Sequence, residues 1–203
     1  MKKEKRQYLG HDIDSDEEIY CIMWMEELKN KGYIKNYERS QTFILSQPFK
    51  VPYTKITQLK TKSKEEKKQQ IILNGCEYTP DFKITWHKDR CHPFVDNMHD
   101  MYGKYMDKVL RSNEILTDEL VTYLEVKPQY DQNGKTQYFK LNQKWLWDVY
   151  GVFVNLFIPI EIFKSTFTPM GYLFTSGGKK KTGKQVAYKV LTLDEYLKIH
   201  TPF

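Results

Sequence analysis

Cysteine is scarce in this chain: Cys21, Cys76 and Cys91 are the only three in 203 residues, and their spacings are unrelated. They make no disulfide framework, which excludes a small cystine-stapled scaffold and points to a reducing, cytoplasmic compartment. Long apolar runs are missing as well. The most apolar stretch, VFVNLFIPI at 152–160, is about half the length that a membrane-spanning helix needs, so no membrane partner is expected. The opening run MKKEKRQYLGHDIDSDEE is basic at its start but has no apolar core, so no secretory signal is expected there. No internal repeat is visible. A nucleotide-binding phosphate loop also fails: Lys184 follows Gly178 and Gly183 correctly, but Gln185 stands where Ser or Thr is required.

What is present favours a globular chain. Fifteen Tyr, eleven Phe and four Trp supply core material, even though 29% of the residues are charged. A domain of this size removes roughly 70% of its unfolded surface from water. Lys and Arg exceed Asp and Glu by 32 to 26, a net charge of +6 that suits a polyanionic partner without identifying one.

Residues 1–14 are polar and expected to be loose; residues 15–203 are expected to form one domain. Ser15 and Glu18 fit a capping box, and Cys21, Trp24, Met25 and Leu28 recur at helical spacing until Gly32 stops the run. YIKNYERSQTFIL is expected to be extended. The charged stretch 54–70 is expected to be an exposed loop or helical turn, and Asn74-Gly75 to close a hairpin leading into YTPDFKITW. Residues 87–119 interrupt the strands and are expected to be an insertion, helical in part. ELVTYLEVKP is the next strand, with Leu124 and Val126 inward and Tyr123, Glu125 and Lys127 on the other face; Asn133-Gly134 is a second turn signal. NQKWLWDVYG reads as a helix stopped by Gly151, VFVNLFIPI as a buried strand, SGGKKKTGK (176–184) as a basic loop, and VAYKVLTLDEYLKI as a last strand and helix. The order of elements indicates a mixed α/β domain.

Two stretches carry chemistry. In YTPDF, Asp81 lies on the polar face of a strand whose other face carries Phe82, Ile84 and Trp86; in TYLEVKP, Glu125 and Lys127 share a face two residues apart. If the two strands are neighbours, the carboxylates converge. Two carboxylates and a backbone carbonyl, that of Val126, are hard oxygen ligands suited to Mg²⁺ or Mn²⁺. Lys127 beside them would orient a water or offset charge on a phosphoryl group. Asp, Glu and Lys alternating on a solvated strand face are also ordinary, so the spacing alone does not decide.

Pro80-Asp81 followed by Glu125-Val126-Lys127 resembles the PD-(D/E)XK nuclease superfamily. SDEEIYCIMWMEELKNKGYIKNYERSQ resembles that group's first helix and strand, and QKWLWDVYGVFVNLFIP its later helix and strand. The likeness covers roughly residues 15–160 and is nearest to small nucleases encoded by tailed bacteriophages. It implies a restriction-endonuclease-like fold, a mixed central sheet flanked by helices, and a metal-dependent DNA endonuclease in the host cytoplasm or a virion. It further implies Asp81, Glu125 and Glu18 as catalytic or metal-binding acids, with Glu17 competing for the last role, and Gln143 or Lys144 near the scissile phosphate. Cutting both strands would favour a homodimer. The long 87–119 connection departs from the family pattern, and residues 165–203 lie beyond it.

Other features have plainer readings beside the functional ones. The Glu18 carboxylate is explained by the capping box alone. His87, Cys91, His92 and His99, with Cys76, give a single half-match to paired zinc-ligand spacing, so a structural zinc module is the lesser alternative. Lys179, Lys180 and Lys181 either touch a DNA backbone or decorate a solvated hairpin. Trp145, Trp147 and Tyr150 stack on bases or, as helical spacing beside a buried strand favours, belong to the core. A nuclease-fold DNA-binding or virion protein without activity is the alternative to the enzyme.

Overall fold

Leu9 and Gly10 both have positive φ (48° and 82°), the backbone of a two-residue type I′ turn. They join β1 (Arg6–Tyr8) to β2 (His11–Ile13) in a short antiparallel hairpin that Ile13 anchors in the core. Residues 6–13 of the tail expected to be loose thus form a hairpin; residues 1–5 lie outside the described residues. Leu-Gly is an unusual pair for such a turn, which is why its sequence gives no signal. The computed structural model describes residues 6–97, 109–114, 119–130, 135–174 and 186–200. These fall into two units, one from residues up to Gln41 with those from Pro80 onward, the other Thr42–Thr79.

In the larger unit, Ser15 caps α1 (Asp16–Asn30) by accepting from the Glu18 amide, and its hydroxyl also meets the Glu18 carboxylate. Cys21, Ile22, Trp24, Met25 and Leu28 form the buried face, and Gly32, at φ 76°, ends the helix. The chain then runs through β3 (Ile34–Arg39), leaves for the second unit, and returns at Pro80.

The second unit contains β4 (Phe43–Ser46), β5 (Phe49–Gln58), β6 (Ser63–Leu73) and β7 (Cys76–Tyr78). β5 pairs with β6 over ten registered pairs, and β4 with β7. The expected loop or helical turn over 54–70 is therefore a two-stranded ribbon. Its charges follow strand spacing: Lys64 and Lys68, two residues either side of Glu66, both bond its carboxylate, at 2.6 and 2.9 Å. Neither partner of Asn74-Gly75 pairs with the other, so that dipeptide closes no hairpin. Gly75 is needed for another reason: a Cβ there would stand 2.8 Å from the Ser46 carbonyl oxygen.

Back in the larger unit come β8 (Phe82–Trp86), β9 (Val95–Asn97), β10 (Leu110–Glu114) and β11 (Leu120–Val126). They are followed by α2 (Lys135–Tyr150), β12 (Val154–Phe157), α3 (Pro159–Ser165), α4 (Met170–Leu173) and α5 (Leu193–His200). The sheet order is β3-β8-β11-β10-β9, with β12 also on β11. The sheet is mixed: β9–β10 and β11–β12 are parallel and the other pairs antiparallel. It is flanked by helices, a general α/β architecture. The 87–119 stretch is thus no appendage. It supplies β9, β10 and the fully buried Phe94, against which Trp24, Trp86 and Tyr196 pack. Its middle, with His99, lies outside the described residues, as do Asn133-Gly134 and the basic loop 176–184. Residues 186–192 form no strand, contrary to expectation, although α5 follows as read.

The sheet forks at β11. β10 pairs with its first residues and β12 with its last four. Two asparagine side chains close the fork by imitating peptide groups. Asn155 accepts from the Arg111 amide and donates to the Arg111 carbonyl, both at 2.8 Å. Asn113 donates to the Phe153 carbonyl at 2.8 Å and accepts from its amide at 2.6 Å. Both are buried, and leaving such groups unpaired would cost about 1–3 kcal/mol each.

Candidate functional site

Phe82 pairs with Leu124, Ile84 with Thr122 and Trp86 with Leu120, so one sheet face gathers Phe82, Ile84 and Trp86 with Leu120 and Leu124. One more step along that ladder brings Asp81 beside Glu125. The chain locks this arrangement through its backbone. The Asp81 amide donates to the Leu124 carbonyl at 2.9 Å, and the Asp81 carboxylate accepts from the Val126 amide at 2.7 Å. The Lys127 amide donates to Phe157 on β12 at 3.0 Å, and the Lys127 ammonium meets the Glu125 carboxylate at 2.5 Å. Asp81, Glu125 and Lys127 therefore meet at one end of the β8–β11 pair.

Burial makes this grouping costly. Glu125 is 8% exposed and Glu18 5%. Burial, then the charge of Glu125, pushes the Asp81 carboxyl up to about 6, against the lowering effects of the Val126 amide and Lys127. Glu18 adds a smaller upward push, so three acidic groups share one field. Beneath them, burial followed by Asp81 and Glu18 raises the Cys21 thiol well above its usual range. Arg39 pairs with Glu18, bonds the Asp12 carbonyl and lies 4.5 Å from the centre of the Phe82 ring. The arginine was absent from the sequence reading; its only signal is its place on β3, two residues after Tyr37 on the core-facing alternation.

The donor chemistry fits a hard divalent cation, since carboxylate oxygens packed this closely repel one another and a cation relieves that repulsion. Each acid is nevertheless engaged, Asp81 with an amide, Glu125 with Lys127 and Glu18 with Arg39. Among the described residues no three His, Cys, Asp or Glu side chains are grouped as a ligand set. His87, Cys91 and His92 form no such set. The Cys91 thiol donates to the Lys88 carbonyl, and burial pushes it up to about 11, away from the thiolate that zinc requires.

The helix after the site divides its expected roles. Phe139 and Leu146 are buried, and Gln143, between them at helical spacing, donates to the Val154 carbonyl at 2.5 Å. Val154 pairs with Tyr123, two residues before Glu125, so Gln143 braces the strand beside the site. Lys144 is exposed. Trp147 and Tyr150, expected in the core, are 45% and 46% exposed because they lie off the face that Phe139 and Leu146 define; Trp145 is half-buried. Lys179, Lys180 and Lys181 lie outside the described residues.

No helix among the described residues is long and apolar enough to cross a membrane. No known family model, curated protein or solved structure matches this chain.

Proposed function

We propose that the chain is a metal-dependent DNA endonuclease of the PD-(D/E)XK type, with a restriction-endonuclease-like fold, acting in phage DNA metabolism. The observation that carries this is the meeting of Asp81, Glu125 and Lys127 across two hydrogen-bonded strands, about forty positions apart in the chain. Buried carboxylates persist in a core strand at a cost in stability, and a site for a cation and a phosphodiester gives them a purpose.

In this reading Asp81 and Glu125, with the Val126 carbonyl, hold Mg²⁺ or Mn²⁺, and Glu18 stands behind them as a further acid. The bound ion would polarise the phosphate and acidify a water. Asp81 is fixed by the Val126 amide and so presents its second oxygen outward. With such an ion held by the carboxylates, Lys127 would be free to donate to a water or to the phosphoryl oxygens instead of to Glu125. Gln143 holds β12, and with it the end of β11, in register. Arg39 pairs with Glu18 next to two other acids.

A second reading has its own support: the acids are satisfied by partners within the chain, as in a nuclease-fold DNA-binding protein without activity. Relaxation of supercoiled plasmid separates the two. The enzyme nicks with Mg²⁺ or Mn²⁺ and stops in EDTA; a binding protein leaves the plasmid intact in both.

A further inference from the structure

The β5–β6 ribbon is covered on neither face. All but one residue of each strand are exposed, the exceptions being Thr57 and Glu66. Between Phe49 and Leu73 it carries seven lysines against two glutamates, a surplus of five where the whole chain has +6. This twenty-five-residue span therefore holds nearly all of the molecule's excess positive charge. Five of the seven lysines lie beyond the Tyr53–Lys68 pair, towards the turn, where Lys60 and Lys62 flank the tip. Lys50, Lys55, Lys60, Lys62 and Lys67 form no ion pair among the described residues, and Glu66 is held by two lysines at once.

We propose that this ribbon is an arm that binds duplex DNA by its phosphates, outside the acidic site. Geometry and charge agree. Ten paired residues at ~3.3 Å each give an arm of ~33 Å, close to one turn of B-DNA at ~34 Å. A two-stranded ribbon is also of a width the major groove admits. Lysines fall on both faces, Lys55, Lys64 and Lys68 on one and Lys50 and Lys67 on the other, so the arm can meet phosphates on both walls of a groove. Five exposed apolar residues, Phe49, Val51, Ile71, Ile72 and Leu73, gather at its base, and two, Ile56 and Leu59, lie towards the lysine-rich tip, which favours phosphate contact over insertion into a lipid surface. Pro52 is tolerated because each strand has an edge that needs no amide donor.

The proposal takes from the nuclease reading only the choice of DNA over RNA. Binding is measured in EDTA, so failure of cleavage and failure of the arm are told apart. The probe is a fluorescent 30-base-pair duplex, titrated by anisotropy from low to moderate salt with wild type, with a quadruple variant carrying Lys55→Gln, Lys60→Gln, Lys62→Gln and Lys67→Gln, and with the same four lysines changed to arginine. Each lysine that meets a phosphate contributes about 0.9 to the slope of log affinity against log salt. The quadruple variant should lose about 2–4 from that slope and at least tenfold in affinity, with an unchanged melting temperature, while the charge-conserving arginine variant binds like wild type. An unchanged slope and affinity in the quadruple variant would overturn the proposal. So would intact duplex binding together with lost binding to vesicles containing phosphatidylserine, which would assign the arm to an anionic membrane.

Discussion

β11 and β6 are both strands, and they meet opposite fates. β11 is buried along its whole length although it contains Glu125; β6 is exposed along almost its whole length although it contains Ile71, Ile72 and Leu73. The difference lies in neighbours. β11 is paired on both sides, by β8 on one and by β10 and β12 on the other, and α1 lies over the sheet. β6 pairs with β5 alone. A charge on β11 is therefore expensive and informative singly, whereas lysines on β6 cost almost nothing and inform only as a set. The acidic site rests on the first kind of evidence and the basic arm on the second.

The sharpest way to test that contrast is to remove the same kind of group from β11 and from the β5–β6 ribbon. Leu124 is fully buried on β11 between Phe82 and the core helices. Leu124→Ala should cost about 2–5 kcal/mol in urea unfolding, through lost burial and the cavity left behind. A loss below about 1 kcal/mol would mean that β11 is not the centre of the core.

Next in size is Asp81→Asn, which sets activity against stability. Metal-dependent nicking should fall by ~10²-fold or more, as expected when a metal ligand is removed. Stability should move the other way. Folding raises the Asp81 carboxyl from 3.8 to about 6, so the charged form is disfavoured in the native state. Protonation therefore favours the fold: wild type gains stability as pH falls through about 6 and has gained all of it below 3.8. Asparagine removes that dependence and can still accept from the Val126 amide. In EDTA the variant should be more stable than wild type by on the order of 2 kcal/mol above pH 6, with the gap closing towards pH 4. Thermal melts across that range check it; a variant less stable at every pH would show that the carboxylate is structural.

How much of this is legible beforehand depends on what makes each element form. β8 and β11 carry their reasons locally: alternating or continuous apolar residues, bounded by Pro80 and Pro128. α1 and α2 announce themselves by Ser15, Gly32 and Gly151. Because Asp81 and Glu125 sit at the ends of legible strands, the sequence names both acids, but their meeting depends on the two strands being neighbours, which the β8–β11 pairing supplies. The ribbon could not, since a strand polar on both faces has no two-residue alternation to detect. β9 and β10 are short and gain their place from distant partners, including the Asn113 and Asn155 amides that close the fork. Arg39 escaped notice because its importance lies in Glu18, twenty-one positions away.

The smallest effect belongs to the ribbon. Ile56 sits on β5 opposite Glu65 and is 63% exposed. Ile56→Ala deletes more apolar atoms than many core changes do, yet it opens no cavity and uncovers little that water does not already reach. Urea unfolding should therefore shift by no more than about 0.5 kcal/mol, the range of a surface substitution. The small loss that remains reflects β-propensity, since a β-branched side chain suits a pleated strand better than alanine does. Measured beside Leu124→Ala, it separates the two ways in which this chain uses strands. Equal costs at both positions would mean that a partner layer covers the ribbon face, and that face would then be closed to DNA.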